Sequence, residues 1–145
     1  MIIYDIYTDG GAINNPGPAG IGIIIKKRSD TQKAETILTI SEYIGEATNN
    51  QAEYRALIRA MQELLRWKNA AEQNQKEVLY RFFLDSELLV NQLNLKYKVK
   101  NRELQPLFLS AHNLAVSLGA VRFEHIPREQ NQEADKLVKA AIKKR

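Results

Sequence analysis

Residues 2–28, IIYDIYTDGGAINNPGPAGIGIIIKKR, decide the fold that the sequence predicts. The β-branched and aromatic run over 2–9 is typical of a strand, and so is the run over 20–28. Between them lies a stretch rich in glycine, asparagine and proline, which predicts a turn. Because a second short connection, SDTQK, leads into a strand-like run over 34–44, we expect the first part of the chain to form an antiparallel meander.

Helices and strands alternate after this meander. A long helix is predicted over 48–67, where apolar residues recur with helical spacing. The continuous apolar run over 78–84 predicts a central strand covered on both faces. The remaining predicted elements are helices over 86–93 and 101–118, a strand over 120–126, a helix from 128 to about 142, and a polar linker or frayed helix end over 69–77. This order predicts an α/β protein with a mixed five-stranded sheet, three strands antiparallel and two parallel, in which the first strand pairs with the fourth.

The bulk properties exclude several classes of protein. With 145 residues, 44% hydrophobic and 26% charged, the chain is expected to form a single domain over 1–145 and to be a monomer. It contains no cysteine, which excludes disulfides and thiolate metal sites and is compatible with a cytoplasmic location. We expect neither a signal peptide nor a membrane span. The net charge of +4 suits a polyanionic partner.

Four carboxylates occupy positions where a charged group is costly. Asp9 and Asp85 each close an apolar strand-like run, and Glu53 and Asp135 each lie on the apolar face of a predicted helix. Sites in open α/β sheets form beyond the carboxyl ends of the strands. Because acidic groups brought together repel one another, the expected compensation is a divalent metal. The pattern therefore indicates metal-dependent phosphoryl chemistry.

Each acid alone has a simpler interpretation. Asp9 could start a turn, and Asp85 could cap the helix that follows it. Glu53 and Asp135 could be first-turn acids that the helix dipole favours. These interpretations explain the residues one at a time but not the occurrence of all four in this order.

Four motifs, YTDGGAINNPGPAG, TNNQAEY, FFLDSELLV and REQNQEADKL, carry one acid each. In this order and spacing they resemble the ribonuclease H type 1 family over nearly the whole chain, from residue 2 to about 141. The resemblance implies the ribonuclease H-like fold and an endonuclease that hydrolyses the RNA strand of RNA–DNA hybrids, leaving 5′-phosphate and 3′-hydroxyl ends. It also implies two Mg²⁺ ions, which Mn²⁺ can replace. The catalytic and metal-binding residues that it implies are Asp9, Glu53, Asp85 and Asp135.

The resemblance also implies contacts with the hybrid. Gly10, Gly11 and Asn15 would lie close to the RNA strand, where backbone groups can reach ribose hydroxyls. Of the residues that open the long helix, Thr48 would bind a phosphate of the DNA strand, although it could equally be a helix cap. The remaining implied contacts are Asn49 and Asn50 at base edges in the minor groove and Asn101 at the DNA phosphate. Independently of the family, the segment KYKVKNR, with Lys98 and Lys100, could lie along a phosphate backbone or be a solvated face.

The chain departs from the family pattern in two places. Many members carry a histidine in a loop before the last acid, but His125 falls within a predicted strand, where a structural role is the more common one. Arg128 or Glu129, in the short loop that follows, are the alternative residues for that role. The tryptophan-rich basic protrusion of well-studied members is also missing, so the chain resembles the compact forms.

Two other functions are compatible with parts of this pattern. The chain could be a catalytically weak module that only binds hybrids, but a pure binder gains nothing from negative charge clustered beside phosphates. It could also be another nuclease of the ribonuclease H-like superfamily, but TDGGAINNPGPAG and TNNQAEY are typical of type 1. The leading hypothesis is therefore an active hybrid endonuclease.

Overall fold

The computed structural model describes residues 1–70 and 77–145. Within these ranges the strands are β1 (Ile2–Ala12), β2 (Gly17–Ser29), β3 (Gln32–Ala47), β4 (Val78–Leu84) and β5 (Val121–His125). The helices in the same ranges are α1 (Asn49–Ala70), α2 (Glu87–Leu93), α3 (Gln105–Leu118) and α4 (Gln132–Lys143). A short 3-10 turn, Arg128–Gln130, precedes α4.

All five strands form one mixed sheet in the order β3-β2-β1-β4-β5. The meander β1-β2-β3 is antiparallel, whereas β4 pairs in parallel with both β1 and β5. The predicted pairing of the first strand with the fourth is therefore confirmed. The architecture is the mixed α/β sheet flanked by helices that the pattern of the sequence predicts.

Helices cover the two faces of the sheet unequally. α1 packs against β1 and β2, and α3 packs against α1, so this face holds the main hydrophobic core. The predicted apolar stripe of α1 is confirmed, because Leu57, Met61 and Leu64 are at most 1% exposed. Full burial of such a side chain contributes about 1.5–3 kcal/mol to stability. α4 covers part of the opposite face, over β2 and β3.

Several predicted boundaries are wrong: β2 begins at Gly17 rather than 20, β3 runs over Gln32–Ala47 rather than 34–44, and α4 begins at Gln132 rather than 128, after the 3-10 turn. Two further boundaries, the end of β1 and the start of α3, are wrong for a local reason. β1 runs to Ala12 instead of ending at residue 9, because Gly10 and Gly11 continue the pairing with β2 although glycine usually indicates a turn. α3 starts at residue 105 rather than 101. The side-chain oxygen of Asn101 accepts hydrogen bonds from the backbone N–H groups of Glu103 and Leu104, and this makes a separate turn ahead of the helix.

The predicted linker over 69–77 lies largely outside the described residues. Its first two residues belong to the end of α1, and nothing is described from 71 to 76. Among the helices that are described, none is both long enough and apolar enough to cross a bilayer.

Candidate active site

The alignment of β1 with β4 places Asp9 beside Asp85. The two strands pair with a constant offset, from Ile2 with Val78 to Tyr7 with Phe83, and the two acids have the same offset. Both acids stand two positions beyond the last pair, where the strands part. Since side chains of a strand alternate between the faces of the sheet, both carboxylates point to the same face.

Glu53 reaches these acids from the start of α1. Thr48 and Gln51 begin this helix as a reciprocal cap, in which each backbone N–H donates to the side chain of the other residue. The backbone of Gly10 lies directly against that of Ala52 and Glu53, so close that no Cβ fits between them. The first turns of α1 are therefore fixed against the end of β1, next to Asp9.

Asp9, Glu53 and Asp85 form a tight carboxylate cluster. One oxygen from each residue lies within 4.8 Å of the others, and both Asp9 and Glu53 are buried. The Oε2 atom of Glu53 is buried without a hydrogen-bond partner. A buried carboxylate oxygen without a donor is costly. The donor set fits a hard divalent cation, which prefers carboxylate oxygens.

Asp135 lies at the rim of the same cleft, in the first turn of α4. Its carboxylate forms an ion pair with Lys139, one turn along the helix, at 2.9 Å. Asp135 lines the cleft but does not belong to the tight cluster of three acids. Gly22, the partner of Asp9 in β2, allows this placement of α4, because its Cα lies against the backbone of α4 at Ala134.

Burial and mutual repulsion raise the pKa values of the clustered acids. Burial, with the negative charges of Asp85 and Asp135 in addition, raises the pKa of Asp9 from 3.8 to about 7. The positive charge of Arg128 acts in the opposite direction. Burial and the charge of Asp9 hold the pKa of Glu53 well above its usual value. A cation bound here would remove this penalty.

The pKa of Asp9 is about 4 in the unfolded chain and about 7 in the folded protein. We expect the metal-free protein to lose stability as the pH rises through the interval between these two values. Within this interval the folded state binds more protons than the unfolded state, so the free energy of unfolding falls with rising pH. The decrease should be a few kcal/mol, since one pKa unit corresponds to about 1.4 kcal/mol. Urea unfolding in EDTA at several pH values measures it, and Asp9→Asn should flatten the profile. A stability that rises across this interval would contradict the assignment.

The acids line an open cleft of about 390 Å³. Of the predicted hybrid contacts, it is lined by Gly10, Gly11, Asn49 and Asn50. Arg128 is the one cationic residue among the described residues that line this cleft. Backbone groups of β1, the amides that open α1 and a guanidinium thus surround the carboxylates.

The other predicted contact residues lie outside this cleft. The side-chain oxygen of Asn15 accepts the backbone N–H of Asn49, which ties the β1–β2 hairpin to α1. Thr48 serves as the cap described above. Asn101 lies near the same helix end, since Gln51 donates a hydrogen bond to Glu103. Exposed positions away from the acids are occupied by Lys98 and Lys100.

Of the three residues considered for the role of the family's loop histidine, Arg128 alone lines the cleft with the acids. His125 is the last residue of β5, as its strand prediction indicates, and it is exposed and absent from the lining of the cleft. Arg128 lines the cleft, whereas Glu129 lines a separate crevice beside Tyr7. The prediction from sequence did not single out Asn131, whose side chain donates a hydrogen bond to Asp85.

Comparisons with known proteins agree with this architecture. The sequence model of the reverse transcriptase-like family matches residues 7–141. The bifunctional protein Rv2228c of Mycobacterium tuberculosis is 36% identical over 138 residues, which are 94% of this chain and 35% of that protein. The chain thus spans about a third of the length of the first curated relatives that it matches.

Solved structures of ribonucleases H1 are among those that resemble the whole chain. LC11-RNase H1, from compost and solved in complex with an RNA/DNA hybrid, is 42% identical with a TM-score of 0.84, and the match covers 99% of this chain and 98% of that one. RNase H1 of the halophilic archaeon Halobacterium salinarum is 29% identical with a TM-score of 0.81, covering 99% of each chain.

Proposed function

Because the chain belongs to the reverse transcriptase-like family and, within it, to the type 1 ribonucleases H, we propose that it is an endonuclease that hydrolyses the RNA strand of RNA–DNA hybrids. We propose further that residues 1–145 act as a single catalytic domain and as a monomer, and that cleavage leaves 5′-phosphate and 3′-hydroxyl ends. The observation that carries the proposal is the convergence of Asp9, Glu53 and Asp85 within 4.8 Å in an open cleft.

Asp9, Glu53, Asp85 and Asp135 would hold two divalent cations, Mg²⁺ or in its place Mn²⁺. The chemistry that bound cations supply in such a site is activation of water at neutral pH and neutralisation of charge on the reacting phosphodiester. The residues present fit this role, because clustered carboxylates repel both one another and a phosphate unless positive charge compensates them. The buried oxygen of Glu53 that has no hydrogen-bond partner is the observation that most favours a bound cation here.

The chain's own groups around the acids suit an RNA strand. The backbone of Gly10 and Gly11 lines the cleft, and because Gly11 has no side chain a ribose can approach this backbone closely. The 2′-hydroxyl is the group that distinguishes RNA from DNA, and backbone polar groups can hydrogen-bond to it. Asn49 and Asn50 line the same cleft, with the side-chain oxygen of Asn49 accepting the backbone N–H of Ala12 next to Gly11, and they would reach the minor groove from there. The complex of the 42% identical LC11-RNase H1 with an RNA/DNA hybrid supports the same substrate for this chain.

The DNA strand would lie along the N-terminal end of α1. The helix N-terminus at Thr48 suits a phosphate, and the segment with Asn101 adjoins it through the hydrogen bond between Gln51 and Glu103. Lys98 and Lys100 extend positive charge from this point. We propose that these residues bind the DNA backbone, so that binding weakens with rising salt.

Arg128→Ala should lower kcat on the hybrid by roughly tenfold to a hundredfold with little change in stability. Arg128 is exposed, so its removal leaves no cavity, but it takes away the one cation that lines the described cleft. Steady-state kinetics at saturating Mg²⁺ measure the effect. The neighbouring Glu129→Ala is the control, because Glu129 faces a different crevice and its loss should leave kcat unchanged. The reverse pattern would assign the loop's role to Glu129.

A substrate panel tests the proposed function. Labelled RNA–DNA hybrid, duplex RNA, duplex DNA and single-stranded RNA are incubated with the protein in Mg²⁺ or Mn²⁺, and the ends of the products are identified. Cleavage of the hybrid, with 5′-phosphate and 3′-hydroxyl products, is the expected result. Tight binding of the hybrid without cleavage would indicate a binding module, and cleavage of duplex DNA would indicate another nuclease of the superfamily.

A further inference from the structure

Asn131 is a buried polar residue that the proposed mechanism leaves without a role. Its side chain is among the largest that are fully buried, and the residue is 2% exposed. Burial of an amide is costly unless hydrogen bonds replace those to water. The partners of this amide therefore indicate why the residue is there.

The amide nitrogen of Asn131 joins the two strands that carry acids. It donates to Oδ2 of Asp85 at 3.0 Å and to the backbone oxygen of Thr8, the residue before Asp9, at 2.9 Å. An amide nitrogen has two hydrogens, so both are used in this way. Because one oxygen of Asp85 is held by this bond, the rotation of its carboxylate is fixed.

The backbone of Asn131 links this pair of strands to α4 and to the turn before it. Its carbonyl accepts the N–H of Asp135 at 3.1 Å, and its own N–H donates to the carbonyl of Arg128 at 3.0 Å. Asn131 therefore has four contacts around the site. It bonds to β1 beside Asp9, to Asp85, to the first turn of α4 at Asp135 and to the 3-10 turn at Arg128.

A capping role does not explain the side chain. Asn131 stands at the N-cap of α4, where asparagine is favoured because its oxygen accepts a backbone N–H of the first turn. Here the side chain makes no such bond, and its Oδ1 atom is buried without a partner. The side chain therefore does not cap α4, and its amide group bonds to Asp85 instead.

We propose, on the basis of the proposed function, that Asn131 is a positioning residue of the metal site. It orients the carboxylate of Asp85 and holds the start of α4 against β1, so that the acids from three elements are arranged before cations bind. Groups that hydrogen-bond to metal-binding carboxylates contribute to metal affinity in this way, and their loss weakens it by roughly 10–100-fold.

Asn131→Ala tests the proposal through metal binding to the substrate-free protein. Titration calorimetry with Mn²⁺ and with Mg²⁺ should show an affinity roughly 10–100-fold below that of the wild type. On the hybrid, kcat should fall at limiting metal, whereas KM should change by less than about twofold, because the amide lies behind the acids and away from the proposed hybrid contacts. Asn131→Ser, which keeps a single donor and leaves a smaller void, should show an intermediate loss.

Ile142→Ala is the matched control, since it removes a buried side chain from the same helix at its far end. It should lower stability without changing metal affinity. Wild-type metal affinity in folded Asn131→Ala, or loss of the folded state in both Asn131 variants, would assign Asn131 a purely structural role and overturn the proposal. If the wild type binds Mn²⁺ and the Asn131 variants bind it more weakly, but no hybrid is cleaved, the inference stands and the proposed function fails.

Discussion

Asp9→Asn is expected to reduce hybrid cleavage by at least about a thousandfold while raising the stability of the metal-free protein. Asparagine has nearly the same shape but no charge, so the cluster loses the carboxylate that lies beside Asp85 and Glu53. A bound cation supplies several kcal/mol of transition-state stabilisation, which corresponds to roughly this factor in rate. The same substitution removes a buried carboxyl group whose pKa burial raises to about 7, and with it the cost of ionising that group in the folded state. Initial rates in Mg²⁺ and urea unfolding in EDTA measure the two effects.

Asp5→Asn is the matched control on the same strand. Asp5 lies on the same face of β1 as Asp9, but it forms an ion pair with Arg28 at 2.9 Å and does not line the cleft. Its neutralisation should leave cleavage unchanged and lower stability slightly, the opposite of the effect at Asp9. An Asp9→Asn protein that still cleaves the hybrid at the wild-type rate would contradict the metal assignment.

Gly10→Ala should destabilise the fold by at least about 3 kcal/mol, towards the upper end of what overpacking costs. An added Cβ would overlap the backbone of Ala52 and lie 2.6 Å from the backbone nitrogen of Glu53. Backbone atoms of a helix cannot rotate away as a side chain can, so α1 would have to move. Urea unfolding measures the loss, and the displaced Glu53 should weaken cleavage as well.

Gly11→Ala distinguishes this steric effect from a general loss of glycine. Its Cβ would point to the other face of the sheet, where the nearest atom is a methyl carbon of Val138 at 3.6 Å, an ordinary contact. We expect a change below about 1 kcal/mol in the free energy of unfolding. Equal destabilisation by both substitutions would show that the contact with α1 is not the cause.

The sheet could be predicted because its central strands have unambiguous patterns. The apolar run that forms β4 was predicted with its observed bounds, since a strand covered on both faces needs no polar alternation. The end of β1 was not predicted, because local rules assign glycines to turns. A glycine is needed within the strand at Gly10 because the backbone of α1 lies directly against it, and this depends on tertiary packing that a local pattern does not contain.

The acids of the site could be found because each stands at an informative position. Asp9 and Asp85 follow apolar strands, and Glu53 continues the buried stripe of α1. The role of Asn131 could not be predicted in the same way. Its partners, Thr8 and Asp85, are distant in sequence, and an asparagine ahead of a helix is usually interpreted as a cap.

The constant offset between β1 and β4 has a consequence for how such a site can vary. The two acids are neighbours because two strands are aligned, and not because any connection has a particular length. Insertions or deletions in the intervening segments therefore leave the pair intact as long as the strands keep their alignment. Deletion of a single residue between Tyr7 and Asp9, by contrast, would turn the carboxylate to the opposite face of the sheet and separate the pair.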